Sequence, residues 1–420
     1  MVGLPETIPD RLPLLDAFVA ERAESAPLAG VSAVLIQHQL GSIVPMVRAL
    51  LSLGLEPDRV FFVDIPYSAN AEVRVALEGL CLQKAHFASG SYDLSQPYAA
   101  FQRRRVQDIA AGMLGELRPN DPLLVLDDGA YFVEAACCFA RSFGDLRVVE
   151  QTTRGIIKIH DDAAMSRYVA SVPLIDVARS SSKARLEAPW IGEAVCRSLH
   201  RTLGRHFALA SGERALVTGF GVIGRAVASS LMTELGIPPS RIHVLDPSPS
   251  AQRAALEQGL ILWDRRSAAH LRFKLVVGCS GQTSIGIGDR VFLEDGAVLA
   301  SASSGSGELS REQFVELADT HPSDDIFVLE GETLATRSIH DSIDLHLVDR
   351  TVRFLNGGFP VNFDGRVNNV AAERIQVTRT LMVGAALQAV ESARRGILPL
   401  SDEVCAWVDH MYPKLFAANC

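Results

Sequence analysis

The stretch Ala215-Leu216-Val217-Thr218-Gly219-Phe220-Gly221-Val222-Ile223-Gly224-Arg225-Ala226-Val227 decides how this chain is read. An apolar run turns sharply into a loop of spaced glycines and reopens as a helix. Gly219 permits the tight turn after a strand, Gly221 lets the backbone approach a pyrophosphate, and Gly224 lets helix and strand pack closely. Val222 and Ile223 then begin a helix whose N-terminus is where the phosphates would rest. The next apolar run, Arg241 to Asp246, reads as the following strand and ends in an acid 22 positions beyond Gly224. A ribose-binding carboxylate belongs at about that distance, and it would repel a 2′-phosphate, so Asp246 predicts NAD rather than NADP.

Outward from this unit the pattern is that of alternating strands and helices. From about Val31, short apolar runs alternate with amphipathic stretches, as in βαβ units of a parallel sheet. Strands are expected at 31–37, 59–65, 82–87, 123–127 and 146–150, with helices at 42–53, 71–80, 98–117 and 132–143. Polar side chains gather where these strands end: His38, then Asp127 and Asp128, then Gln151, Thr152 and Thr153. Ligands of open parallel sheets bind outside the carboxyl ends of the strands, which makes this shared edge the expected site. Residues 173–190 read as a polar segment before a helix at 191–203. Strands at 275–278, 297–300 and 326–329 would complete a doubly wound sheet, and a Gly-rich connection at 355–363 leads to a long helix at 371–394. The expected fold is α/β with two parallel-sheet domains. Residues 1–190 form a substrate domain, 191–352 a Rossmann NAD-binding domain, and 353–420 a C-terminal segment whose helix returns to the substrate domain, leaving a ligand cleft between the two.

Bulk properties exclude several classes. A formal charge of −9 and no basic stripe argue against nucleic acid as a partner, and Arg103-Arg104-Arg105 is expected on a solvated helix face. Seven cysteines without a CxxC pair suggest neither a disulfide framework nor a zinc ribbon, which fits a reducing cytoplasm. The N-terminus lacks a signal pattern, and no apolar run approaches the ~18 residues of a membrane span. A cytoplasmic protein acting on a small molecule is expected. His340-Asp341…Asp344…His346 has metal-capable side chains, but at a spacing that fits no usual ligand set, so no metal is expected. Ser180-x-x-Lys183 could be a serine nucleophile with a lysine base, but the companion motifs are missing.

The order of parts resembles S-adenosylhomocysteine hydrolase over nearly the whole chain. The matches lie at Gln37-His38, Asp127-Asp128-Gly129, Glu150-Gln151-Thr152-Thr153-Arg154-Gly155, Ser182-Lys183, Gly219 to Gly224, Leu245-Asp246-Pro247 and Pro360-Val361-Asn362. Enzymes of that family hold NAD, oxidise a ribose 3′-hydroxyl, remove the acidified 4′ proton, expel a 5′ thiol, add water and return the hydride. The resemblance implies that Lys183 handles the 3′-hydroxyl proton and that Asp128 and His38 are acid–base groups near the 4′ and 5′ carbons. It implies that Glu187 stands where an aspartate contacts the sugar hydroxyls. Thr152, Thr153 and Asn362 would join Gly219, Gly221, Val222, Ile223, Gly224 and Asp246 around NAD, and the protein would be a homodimer or homotetramer.

The chain also departs from that family. Gln151 replaces a sugar-binding glutamate, and Leu40 and Ser42 replace a threonine and a glutamate near the adenine. Ser304 and Asn369 each replace a histidine, Val244 replaces a ribose-binding glutamate, and Ala188 an asparagine at the cofactor. The sequence stops soon after Tyr412-Pro413-Lys414-Leu415 without the family's lysine-and-tyrosine tail. These changes predict a nucleoside-like substrate other than adenosylhomocysteine. Three readings stay open beside this one: a silent NAD-binding regulatory homologue, a simple dehydrogenase with exchangeable NAD, and a true but divergent adenosylhomocysteine hydrolase.

Overall fold

The computed structural model describes residues 6–116, 121–139, 143–204, 207–266, 270–314, 327–328, 334, 337–347 and 350–416. The chain begins with α1 (Pro13–Ala20), β1 (Ser32–Gln37), α2 (Ile43–Ser52), β2 (Val60–Asp64), α3 (Ala71–Glu78), α4 (Tyr98–Glu116), β3 (Pro122–Asp127), α5 (Tyr131–Cys137), β4 (Asp145–Glu150), α6 (Thr153–Asp161), α7 (Ala163–Val169), β5 (Pro173–Asp176) and α8 (Ser181–Leu203). It continues with β6 (Ala215–Thr218), α9 (Val222–Thr233), β7 (Ile242–Leu245), α10 (Pro249–Glu257), β8 (Ile261–Leu262), β9 (Phe273–Gly278), β10 (Leu293–Ser301), β11 (Phe327–Val328), β12 (Ile343–Leu347), β13 (Arg350–Phe354), α11 (Ala372–Glu391), β14 (Gly396–Pro399) and α12 (Asp402–Phe416). These elements form two compact units, one of residues 1–91, 100–187 and 365–420, the other of residues 92–99 and 188–364.

The first unit is built on a six-stranded sheet in the order β14-β5-β4-β3-β1-β2, parallel throughout. Helices cover both faces of such a sheet, which explains why β1 and β2 are buried along their whole length and read as unbroken apolar runs. The return helix α11 is buried from Ile375 through Leu387 and packs on β3, β4 and β5.

Three expectations are corrected in this unit, and one element is new. The strand expected at 82–87 is a 3₁₀ turn, Lys84–His86, with one bridge from Phe87 to Phe62, because the His86 ring stacks flat on Phe61 beside β2 and no ladder continues. The segment 173–190 is not a polar connection: it holds β5, and α8 begins at Ser181 and runs through Pro189. A proline inside a helix removes one ladder donor and crowds the carbonyl one turn back, yet α8 continues through Pro189, which marks no boundary here. Arg105 is not on a solvated face; it is buried, ion-paired with Asp64 and donating to Ser89 O. The strand β14 has no counterpart among the expected elements. Its Ile397 pairs beside Leu174 of β5.

The second unit carries an eight-stranded sheet, β11-β12-β13-β10-β9-β6-β7-β8. Its six parallel strands, counted from β6 as the first, run 3-2-1-4-5-6, the order of dinucleotide-binding Rossmann folds. The order reverses between β6 and β9, and the glycine loop follows β6. Val217, Val277, Val227 and Leu231 belong to the core between this sheet and α9. β12 pairs antiparallel to β13 and β11 to β12. The strand expected at 326–329 is therefore an antiparallel addition at the edge, of which only Phe327 and Val328 lie within the described residues. The last parallel strand is instead β13, and a boundary at 352/353 would cut it where Val352 and Phe354 pair with Ala297 and Leu299. The unit runs on to Asp364.

Candidate functional site

In the first unit the carboxyl ends of β1, β3 and β4 deliver Gln37-His38, Asp127-Asp128 and Glu150-Gln151 to one edge, and α8 adds Lys183 and Glu187 one turn apart. His38 Nε2 lies 3.2 Å from Asp128 Oδ2, and His38 Nδ1 is 2.7 Å from Ser68 Oγ. The Gln151 side-chain amide donates to the same Asp128 oxygen. Lys183 Nζ donates to Gln151 O at 2.6 Å and stands 3.8 Å from Glu187 Oε2. The four side chains expected to carry the chemistry, His38, Asp128, Lys183 and Glu187, thus belong to one linked set, with Gln151 joining its halves. Gln151 Oε1 and Glu187 Oε2 are buried acceptors without a hydrogen-bond partner among the described residues, which suits them to hydroxyls of a ligand.

Burial alone would raise the pKa of Asp128, but the facing His38, the Gln151 amide and the nearby Lys183 outweigh it and hold the carboxyl below its ordinary range. Its neighbours behave oppositely. Burial pushes Asp127 up to about 6, against the Phe132 and Tyr131 amides and Lys158, and burial with the Asp127 and Asp128 charges raises Glu150 well above normal. Asp127 caps α5 through Tyr131 N and Phe132 N. Glu150 accepts from Gly129 N, Ala130 N, Thr152 N and Thr152 Oγ1. These two acids hold the turns that present Asp128 and Gln151. A Cβ on Gly155 would run into the Glu150 carboxyl, so only glycine fits at that turn of α6.

Arg379 of α11, which the sequence reading missed, is also here. It is 4% exposed and donates to Ser42 Oγ at 3.0 Å and to Gln37 Oε1 at 3.4 Å. The signal was present: an arginine inside a run of apolar and small residues must have a reason to be buried. The turn it braces, Leu40 to Ser42, is backed by residues 367 and 368. Gly41 N donates to Val367 O, and a Cβ on Gly41 would meet Asn368 Oδ1 at 2.8 Å.

In the second unit the glycine loop has the features its spacing predicts. Gly219 has φ +82°, and a Cβ there would lie 2.5 Å from Ser280 Cα. A Cβ on Gly224 would run into Gly219 O, whereas one on Gly221 meets nothing within 4 Å. The space in front of α9 is therefore open at the one glycine meant to admit a phosphate. Val222 is 48% exposed there and Ile223 half-buried. Asp246 accepts from Phe220 N at 2.6 Å and from Ser248 N at 2.8 Å, which fixes its carboxylate against the loop. Asn362, beyond the end of β10, is buried with Oδ1 unpartnered among the described residues, an acceptor that an amide donor of a cofactor would satisfy. These residues fit a bound dinucleotide.

Thr152 and Thr153 are in the first unit. The Thr152 hydroxyl caps α6, donating to Glu150 Oε1 at 2.6 Å and accepting from Gly155 N at 2.9 Å, while Thr153 is exposed in the first turn. The metal-capable stretch in the second unit is engaged otherwise: Asp344 pairs with Arg353 and His340 Nδ1 lies 3.0 Å from Asn356 Oδ1. Among the described residues no helix is long and apolar enough to cross a membrane.

Fold and site together define an α/β protein with a Rossmann-type dinucleotide unit and a second parallel sheet carrying a polar, acid–base edge. No family model matches the chain. It is 29% identical over 366 residues to two uncharacterized proteins from two strains of Mycobacterium tuberculosis, the match covering 84% of this chain. The chain spans 62% of the length of those curated relatives. Among solved structures it is similar to a dipicolinate synthase component from Bacillus halodurans, at 11% identity and a TM-score of 0.35 over 70% of this chain and 87% of that one. It is also similar to a glyoxylate reductase from Paecilomyes thermophila, at 14% identity and a TM-score of 0.31 over 69% and 78% of the two chains.

Proposed function

We propose that this chain is an NAD-dependent enzyme that oxidises a sugar-like hydroxyl of a small nucleoside-like molecule, with elimination, hydration or epimerisation to follow. The observation that carries this reading is the linked set Lys183, Glu187, Gln151, Asp128 and His38 at one sheet edge, in a chain that also holds a complete glycine loop. A bound nicotinamide supplies the hydride acceptor. Lys183 takes the proton of the hydroxyl being oxidised, since its Nζ is held by Gln151 O and faces Glu187. Glu187 Oε2 and Gln151 Oε1, buried and otherwise unpartnered, accept hydrogen bonds from neighbouring hydroxyls and fix the sugar. His38, fixed between Ser68 and Asp128, exchanges a proton at the adjacent carbon once oxidation has acidified it. A protein that only bound nucleotide would have no use for this arrangement.

The test is to load the full chain with NAD and add adenosine, inosine, uridine and adenosylhomocysteine in turn, following reduced nicotinamide by absorbance and free thiol by a colorimetric reagent. Reduction by at least one nucleoside is expected. Adenosylhomocysteine should release thiol far below about 1 s⁻¹, because Ser42, Ser304, Gln151 and Asn369 no longer supply the groups that recognise it. NAD binding without reduction by any of the four compounds would instead support the silent regulatory reading.

A further inference from the structure

We propose that the buried guanidinium of Arg379 binds an anionic group of the substrate, a carboxylate or a phosphate. This rests on the reading above, in that the same sheet edge holds the substrate.

Among the described residues no carboxylate lies within ion-pair distance of Arg379, although it is 4% exposed. Its two acceptors, Ser42 Oγ and Gln37 Oε1, are neutral, and of the five donors of a guanidinium they use two, leaving three. A buried charge without a counter-ion is costly, and such groups are ordinarily paired. The cost is visible: burial lowers the pKa of Arg379 to about 10, while the charges of Glu187 and Asp128 pull it back up. Those two carboxylates act only through space. Glu187 faces Lys183, and Asp128 is taken by His38 and Gln151.

An arginine needed solely to hold the Leu40–Ser42 turn would be better served by an acid at position 42, where the chain has a serine. The planar fork of a guanidinium matches two oxygens of one carboxylate or phosphate, which a neutral ligand does not offer. The open valence of Arg379 thus defines the ligand class: an anion that enters with the substrate and completes the pairing.

The test compares charged and neutral probes at one ionic strength on the full-length, NAD-saturated protein, by titration calorimetry. Orotidine is set against uridine for a carboxylate, and ribose 5-phosphate against ribose for a phosphate. One charged probe should bind at least about tenfold more tightly than its neutral counterpart, as a hydrogen-bonded charge pair provides, and the pair that shows this identifies the anion. Arg379→Met should abolish the preference. Ser42→Asp should abolish it too, by supplying an internal counter-ion while leaving the guanidinium in place, and so serves if the methionine variant does not fold. If neither charged probe outbinds its neutral partner, or if the preference survives in the folded variants, Arg379 is structural and the proposal is overturned. Reduced nicotinamide is read in the same samples: its formation from uridine or ribose without any charge preference removes this inference and leaves the function standing. An Arg379-dependent preference with no reduction by these probes or by adenosine, inosine or adenosylhomocysteine supports the anion site and removes the function.

Discussion

His38 and Asp128 meet at 3.2 Å because they leave adjacent parallel strands at the same edge: Leu35 of β1 is in register with Leu126 of β3, and each chain then delivers its polar residue just past the sheet. Asp128 fixes the ring from one side and Ser68 from the other. Asp128→Asn should keep the shape and lose the charge, lowering kcat about 10²–10⁴-fold, the usual contribution of an acid–base group, with little change in NAD affinity. Parent-like turnover in that variant would show the pair to be structural.

Lys183→Met should abolish nicotinamide reduction while NAD stays bound, since Lys183 is a residue of the first unit and its bonds are to Gln151 O and Glu187. The loss should again be about 10²–10⁴-fold. Steady-state rates and NAD titration on the same preparation separate the two effects, and near-normal reduction would leave the lysine only a structural brace for Gln151.

Stability should depend on pH through Asp127 and Glu150. Both have folded-state pKa values above the ordinary carboxyl value, Asp127 at about 6, chiefly from burial. Between about pH 4 and 6 the folded chain therefore holds protons that the unfolded chain has released, so these groups make stability fall as pH rises through that window. Asp128 works the other way: its depressed pKa contributes stability that is present above the ordinary carboxyl range and is lost as pH falls through the folded value. Asp127→Asn should flatten the dependence of the urea midpoint on pH between about 4 and 6. An unchanged slope would mean that Asp127 is ionised throughout.

The glycines of the nucleotide loop should separate by role. Gly224→Ala drives a methyl into Gly219 O and should cost about 1–3 kcal/mol of stability, the range for overpacking. Gly221→Ala has room and should leave the thermal midpoint unchanged, yet weaken NAD at least about tenfold by filling the approach to the phosphates. Thermal melts and NAD titrations of the two variants decide this; full NAD affinity in Gly221→Ala would place the phosphates elsewhere.

NAD should bind at least about tenfold more tightly than NADP, because the Asp246 carboxylate, held by Phe220 N and Ser248 N, cannot turn away from a 2′-phosphate. Competitive titration of the two dinucleotides checks it. Equal or tighter binding of NADP would assign Asp246 to bracing the loop alone.

Local patterns carry a great deal of this molecule. The loop from Gly219 to Gly224 is readable from residues alone, because Gly219 and Gly224 answer short-range demands, a positive φ and a close approach, that no other side chain meets. The same holds for the strands of the first half, whose burial on both faces forces continuous apolar runs, and for the polar residues that follow them. Those residues could be gathered on one edge because parallel strands all end on the same side.

What the sequence could not supply is whatever depends on partners far along the chain. β14 is four residues long and becomes a strand only by lying beside β5, and β13, absent from the expected elements, is a parallel strand through its register with β10. Arg105 looks solvated until Asp64 is placed beside it, since charge pairing between a helix and a strand residue 41 positions away has no local signature. Arg379 is the strongest case: its apolar surroundings mark it for burial, but only the packing of α11 under the first sheet puts its guanidinium against Ser42 and Gln37, more than three hundred residues away, without an acid to neutralise it.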